Sequence, residues 1–137
     1  MKKLLTIALA LTTVAILSAC EFNVSTANIT DVSMCSEKTE NLCDGDSRIF
    51  ATDTPEIIVT AILNNAPEGT EATFDWMYLE GEPYLIDTVS VTSEYTTTDL
   101  YSSLSIPDDG WPAGAYKVTI KLNTDNSEPI DVEFSIE

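Results

Sequence analysis

Histidine is absent from this 137-residue sequence, and only six lysines and arginines stand against 23 aspartates and glutamates. The missing imidazole removes the commonest general base and a common metal ligand. A net charge of −17 excludes a nucleic-acid-binding surface, which needs clustered basic side chains. Anionic lipid headgroups would be repelled; cationic proteins would be attracted, and divalent cations could bridge the carboxylates. No G-x-S-x-G elbow, zinc-ligand spacing or glycine-rich phosphate loop occurs, and there is no internal repeat. Helical periodicity is nearly missing. Long hydrophobic runs are missing too. The one apolar stretch, Leu4–Leu17, would span only about 20 Å as a helix against a hydrocarbon core of about 30 Å.

That stretch follows Met1-Lys2-Lys3 and precedes small residues, the order of a secretory signal peptide. Leu17-Ser18-Ala19-Cys20 goes further and resembles the lipobox of bacterial lipoproteins. The resemblance implies cleavage before Cys20, a diacylglycerol on its thiol and an acyl chain on its new amino group. Two or more acyl chains make a stable membrane anchor where one does not. The competing reading is an ordinary signal peptide with a chance cysteine. Glu21 is not the aspartate that tends to retain lipoproteins in an inner membrane, which favours the outer one. The expected organisation is a signal peptide over 1–19, a lipidated N-terminus and short tether over 20–26, and a domain over 27–137. The leader takes two of the six basic residues and no acid, leaving four against 23, a net charge of about −19.

Three cysteines are odd for an exported chain. Lipidation of Cys20 leaves Cys35 and Cys43, which an oxidising compartment would join. By chain entropy, so short a loop contributes about 2–3 kcal/mol. A metal site would need more thiolate or imidazole than is present.

What is abundant is strand sequence. Short runs of Val, Ile, Thr and aromatics are divided by Pro, Gly, Asn and Asp. The runs lie within Phe22–Met34 and over Glu56–Leu63, Ala72–Leu79, Tyr84–Thr92, Asp99–Ile106, Ala115–Leu122 and Asp131–Glu137. In "AYKVTIKL", Tyr116, Val118, Ile120 and Leu122 alternate with polar residues, as do Val132, Phe134 and Ile136 later. A period of two means one buried and one wet face. The expectation is an all-β, antiparallel sandwich of about seven strands, preceded by a cleaved signal helix.

Gly114-Ala115-Tyr116-Lys117-Val118 resembles the strand-F corner of immunoglobulin-like domains, with Val118 where antibody domains carry cysteine. More narrowly, "NAPEGT", Phe74-Asp75-Trp76 and "GWPAGAYKV" resemble a module of prokaryotic lipoproteins and surface proteins. The resemblance covers roughly residues 50–137 and implies an immunoglobulin-like fold but no catalytic residues. Met34–Pro55 then reads as an insertion holding Cys35 and Cys43. Within it, Asp44-Gly45-Asp46-Ser47 offers oxygen ligands and a glycine turn that suit calcium. It lacks the twelve-position ligand pattern, and an acidic solvated turn is the alternative reading.

The functional expectation is a membrane-anchored, non-catalytic domain that binds an envelope protein or glycan, or serves structurally. Trp111, in the corner before strand F, is the candidate exposed aromatic, unless it caps the core between two prolines. Tyr84, Tyr95 and Tyr101 are further candidates. No cofactor is called for beyond the lipid on Cys20, and oligomeric state is left open. An acidic binder or inhibitor of cationic proteins, such as lysozyme, is the alternative. A paired-carboxylate glycosidase is a third, disfavoured by 118 residues with acids scattered on outward positions.

Overall fold

In the computed structural model, residues 26–124 and 127–137 are described. The expected signal peptide, Cys20 and the tether up to residue 25 lie outside the described residues. Seven strands of seven to nine residues carry the fold: β1 (Asn28–Cys35), β5 (Glu56–Asn64), β6 (Glu71–Tyr78), β7 (Tyr84–Thr92), β8 (Thr98–Ser105), β9 (Gly114–Leu122) and β10 (Ile130–Ile136). Three two-residue strands, β2 (Lys38–Thr39), β3 (Leu42–Cys43) and β4 (Ile49–Phe50), occupy the insertion. One sheet has the order β1-β5-β8 and the other β4-β10-β9-β6-β7. This is an immunoglobulin-like β-sandwich.

Alternation places the core as the sequence implies. Phe74, Trp76, Tyr116, Val118, Ile120, Val132, Phe134 and Ile136 are all buried between the sheets. Each large apolar side chain so buried contributes about 1.5–3 kcal/mol. Where antibody domains place an inter-sheet disulfide, the sheets here are joined by packing and by one internal hydrogen bond. Trp76 on β6 donates from Nε1 to the Ser102 hydroxyl on β8 at 2.9 Å, fully inside. That bond satisfies the one polar atom of a fully buried indole.

β5 does not alternate. Ile57 to Ala61 are buried on both faces of the strand, although the outer face of a sandwich sheet is ordinarily wet. The insertion supplies the cover. The Cys35–Cys43 disulfide closes a hairpin of β2 and β3 that lies over β5, and the Cys43 amide donates to the Thr60 hydroxyl at 3.1 Å. A continuous apolar run is what a strand sealed on both sides requires.

The insertion also changes sheets. β4 pairs in parallel with β10, Ile49 opposite Ser135 and Phe50 opposite Ile136. The Glu137 amide donates to the Phe50 carbonyl at 2.9 Å, extending that ladder. Residues 34–55 are therefore part of both sheets and not an external loop. The first strand, Asn28–Cys35, falls within the expected stretch Phe22–Met34 but for its last residue, and bulges between Thr30 and Ser33, where Asp31 takes φ 53°.

Candidate functional site

The corner between β8 and β9 is built from residues that each have a backbone obligation. Gly110 closes a turn, its amide donating to Pro107 at 2.9 Å. The Trp111 amide donates to the Thr52 carbonyl at 3.0 Å, and its indole Nε1 to the Thr54 carbonyl at 2.6 Å. With both N–H groups held by the 52–54 segment, Trp111 is only 6 % exposed. Of the two readings of Trp111, exposed aromatic or cap on the core, the structure shows the second. Tyr116 donates its hydroxyl to the Pro112 carbonyl at 2.5 Å, the tyrosine-corner bond of immunoglobulin-like folds. Its ring stacks on Phe134 at 5.3 Å and lies 4.8 Å from that of Tyr78. Burial, with a smaller contribution from Tyr78, pushes the Tyr116 phenol up to about 12 from 10. Tyr78 in turn donates to the Ala113 carbonyl at 2.9 Å.

These bonds fix one wall of a small groove. Tyr78, Tyr84 and Ile86 from β6 and β7 face Pro107, Trp111 and Pro112 of the corner across a cavity of about 180 Å³, with Tyr116 at its floor. The hydroxyls of Tyr78 and Tyr116 are engaged by corner carbonyls, so the groove presents ring faces and pyrrolidine carbons. Tyr84 stands at its mouth, 65 % exposed.

The other two candidate tyrosines are exposed but are not gathered there. Tyr95 follows the far end of β7 from Tyr84, in a turn where Ser93 donates to its carbonyl at 2.6 Å. Tyr101 lies on the outer face of the smaller sheet, with the Lys38 ammonium 4.4 Å from its ring centroid. That contact is a cation–π pair tying the insertion hairpin to β8.

At the base of the insertion, Asp44, Asp46 and Glu37 border a shallow cavity of about 410 Å³. Asp46 Oδ1 accepts from Arg48 Nε and from the Met34 amide, each at 2.9 Å. The Arg48 hydrogen bond chiefly holds its carboxyl below the usual carboxylate range. Among the described residues no cluster of three or more metal-ligating side chains is present. Cys35 and Cys43 are disulfide-bonded, as expected.

From Ile49 to Tyr116 the chain has no lysine or arginine. Lys38, Arg48, Lys117 and Lys121 all lie outside that stretch, and Lys121 is paired with Asp75 at 2.6 Å. β5 to β8 and the corner therefore carry acids but no base of their own, Asp75 of β6 being paired by Lys121 of β9.

Fold and corner together define an immunoglobulin-like domain with a rigid aromatic groove at one end. No family model and no curated protein matches the chain. Among solved structures it is similar to a Niemann-Pick type C2 protein from Japanese carpenter ant, at 15 % identity and TM-score 0.47, covering 86 % of this chain and 96 % of that one. It is also similar to part of the Pseudomonas fluorescens alkylpurine DNA glycosylase AlkC bound to DNA containing an abasic site analog. There the identity is 12 % and the TM-score 0.46, with 85 % of this chain covered but only 31 % of the glycosylase. This chain thus spans about a third of that enzyme.

Proposed function

We propose that this chain is a lipid-anchored, non-catalytic binding module of a bacterial envelope, engaging a protein or glycan partner through the aromatic corner. The outer membrane is preferred over the inner. The observation that carries the reading is the groove at Tyr84: a half-open apolar cleft on a rigid frame, among whose lining residues the titratable groups are Tyr78, Tyr84 and Tyr116. Such a surface recognises by ring-face contact and offers no acid–base pair for hydrolysis. Leu17–Cys20 supports the anchor. Since β1 starts at Asn28, eight residue steps of at most about 3.5 Å keep the domain within about 28 Å of the acylated sulfur.

Tryptophan emission of the full-length protein in detergent, titrated with cell-wall glycan fragments and with envelope-derived peptides, tests the groove, because Trp111 borders it. One ligand class should shift the emission, and Tyr84→Ser should abolish the shift. Hydrolysis of any polymer in the panel would overturn the non-catalytic reading. Mass spectrometry of protein from its own host tests the anchor: an unmodified Cys20 thiol would remove it.

The absence of any base from the acidic stretch 49–116 favours a second reading, a binder of cationic proteins whose encounter is accelerated by charge. Slowing of a basic muramidase at low salt, relieved by added salt, would support it.

A further inference from the structure

The two sheets are unequal, and the mismatch leaves a step along one side of the sandwich. β8 is the outer strand of the smaller sheet, while the facing sheet continues past β6 to β7. Trp76 of β6 meets Ser102 of β8, so β8 stands over β6 and, among the described residues, no strand stands over β7. The floor of the step is the inner face of β7. Val89 and Val91 lie opposite Phe74 and Ala72, which are fully buried, yet both valines are half-exposed, as is Ile86, and Tyr84 is open. The wall is the free edge of β8. Strands in a sheet lie about 4.8 Å apart and facing sheets about 10 Å, so the step has room for one strand.

The other outer strands carry devices that discourage pairing. β1 is bulged around Asp31, β4 has two residues, and β7 is bulged at Trp76/Met77. β8 has none of these. It runs eight residues in unbroken register with β5, without proline, lysine or bulge. An unguarded edge beside an uncovered apolar floor is a template for strand addition.

The floor also specifies what the added strand must carry. Asp87 lies opposite Trp76 and so shares the inner face, exposed at the middle of the floor. Its Oδ1 accepts from the Thr88 amide at 2.9 Å, but a wholly apolar strand would bury the charge without a cation, at a cost a lysine or arginine opposite it removes. Around it, residues 79–113 hold seven acids and no base.

We propose that the step receives an extended, cationic segment of a partner protein, bonded through its backbone to β8, with alternate apolar side chains on Val89 and Val91 and a basic side chain at Asp87. This deepens the binding reading above and rests on it, naming the partner's chemistry and the mode of attachment.

The test uses the full-length protein in detergent and a nine-residue synthetic peptide alternating threonine with valine, its third valine replaced by lysine, so that one face carries valines and a single base. Hydrogen exchange should show new amide protection confined to residues 98–105, and Asp87→Asn should weaken binding at least tenfold. Val89→Asp should abolish binding, with its thermal transition confirming that it folds. Two control peptides decide specificity: one with glutamate in place of lysine, and one with the lysine moved by one position, to the opposite face of the strand. Protection at residues 98–105 from either control, protection at β1 instead, or tighter binding to Asp87→Asn would overturn the proposal. If the alternating peptide fails while ligands still shift Trp111 emission in a Tyr84-dependent way, strand addition is wrong and the groove reading stands.

Discussion

The Trp111 indole is hydrogen-bonded to the carbonyl of Thr54, 57 positions earlier in the chain. One side chain thereby joins the loop that leads into β5 to the corner that leads into β9. Trp111→Phe keeps most of the ring but leaves the Thr54 carbonyl without that donor. It should lower unfolding free energy by about 1–3 kcal/mol. Trp111→Ala adds a cavity and should cost about 3–5 kcal/mol. Urea titration followed by far-ultraviolet circular dichroism checks both.

Tyr116 should make the domain sensitive to alkali. Its folded-state value of about 12 lies above the ordinary 10, so the folded protein holds this proton after the unfolded chain has lost it. The contribution is complete below pH 10 and is lost as pH rises from there through about 12. Tyr116→Phe should flatten the slope of stability against pH across that window. It should also cost about 1 kcal/mol near neutrality, through the lost bond to Pro112. Thermal transitions recorded between pH 8 and about 12 would show the difference.

Asp46 works in the opposite direction. Its carboxyl is held low by Arg48, so its contribution is present above the unfolded value and fades as pH falls through the lower folded one. Arg48→Met should raise the Asp46 titration midpoint, observable by carboxyl NMR. Because the pair is solvent-exposed, stability at neutral pH should change little.

Removing the disulfide with Cys35→Ser and Cys43→Ser should cost about 2–3 kcal/mol on loop entropy. The loss should appear locally as well. Amides of the β2–β3 hairpin should exchange faster, and the outer face of β5 should gain exchange near Thr60, which the hairpin covers. Unchanged exchange at Cys43 would mean that the hairpin is held by β5 and by the Lys38–Tyr101 contact alone.

Much of this architecture was legible in the sequence. Tyr84–Thr92 was read with both ends correct, and the alternation of β9 and β10 gave their buried faces, because a period of two is a local signal. Tyr116 was placed correctly because its corner bond spans only four residues. What escaped was non-local. β4 is two residues long and acquires meaning only from β10, which lies more than eighty positions later. Trp111 between two prolines looks alike from sequence whether it faces water or core; its acceptor near residue 54 decides. The doubly sealed β5 did leave a trace, the unalternating "EIIVTAIL", but its cover belongs to a hairpin with no apolar pattern of its own. Of the site, the tyrosines were visible as residues but not as a set, and structure keeps only Tyr84 at the groove.

The parallel pairing of β4 with β10 has a consequence for how the sandwich is completed during synthesis. The strand spanning Ile130–Ile136 is interior to its sheet, clasped by β9 on one flank and β4 on the other. Until those residues emerge, β4 has nothing to join and the five-stranded layer stays split. A polypeptide still leaving a ribosome thus lacks the strand that brings β4 into the larger sheet, and that layer is completed only when Ile130–Ile136 arrives.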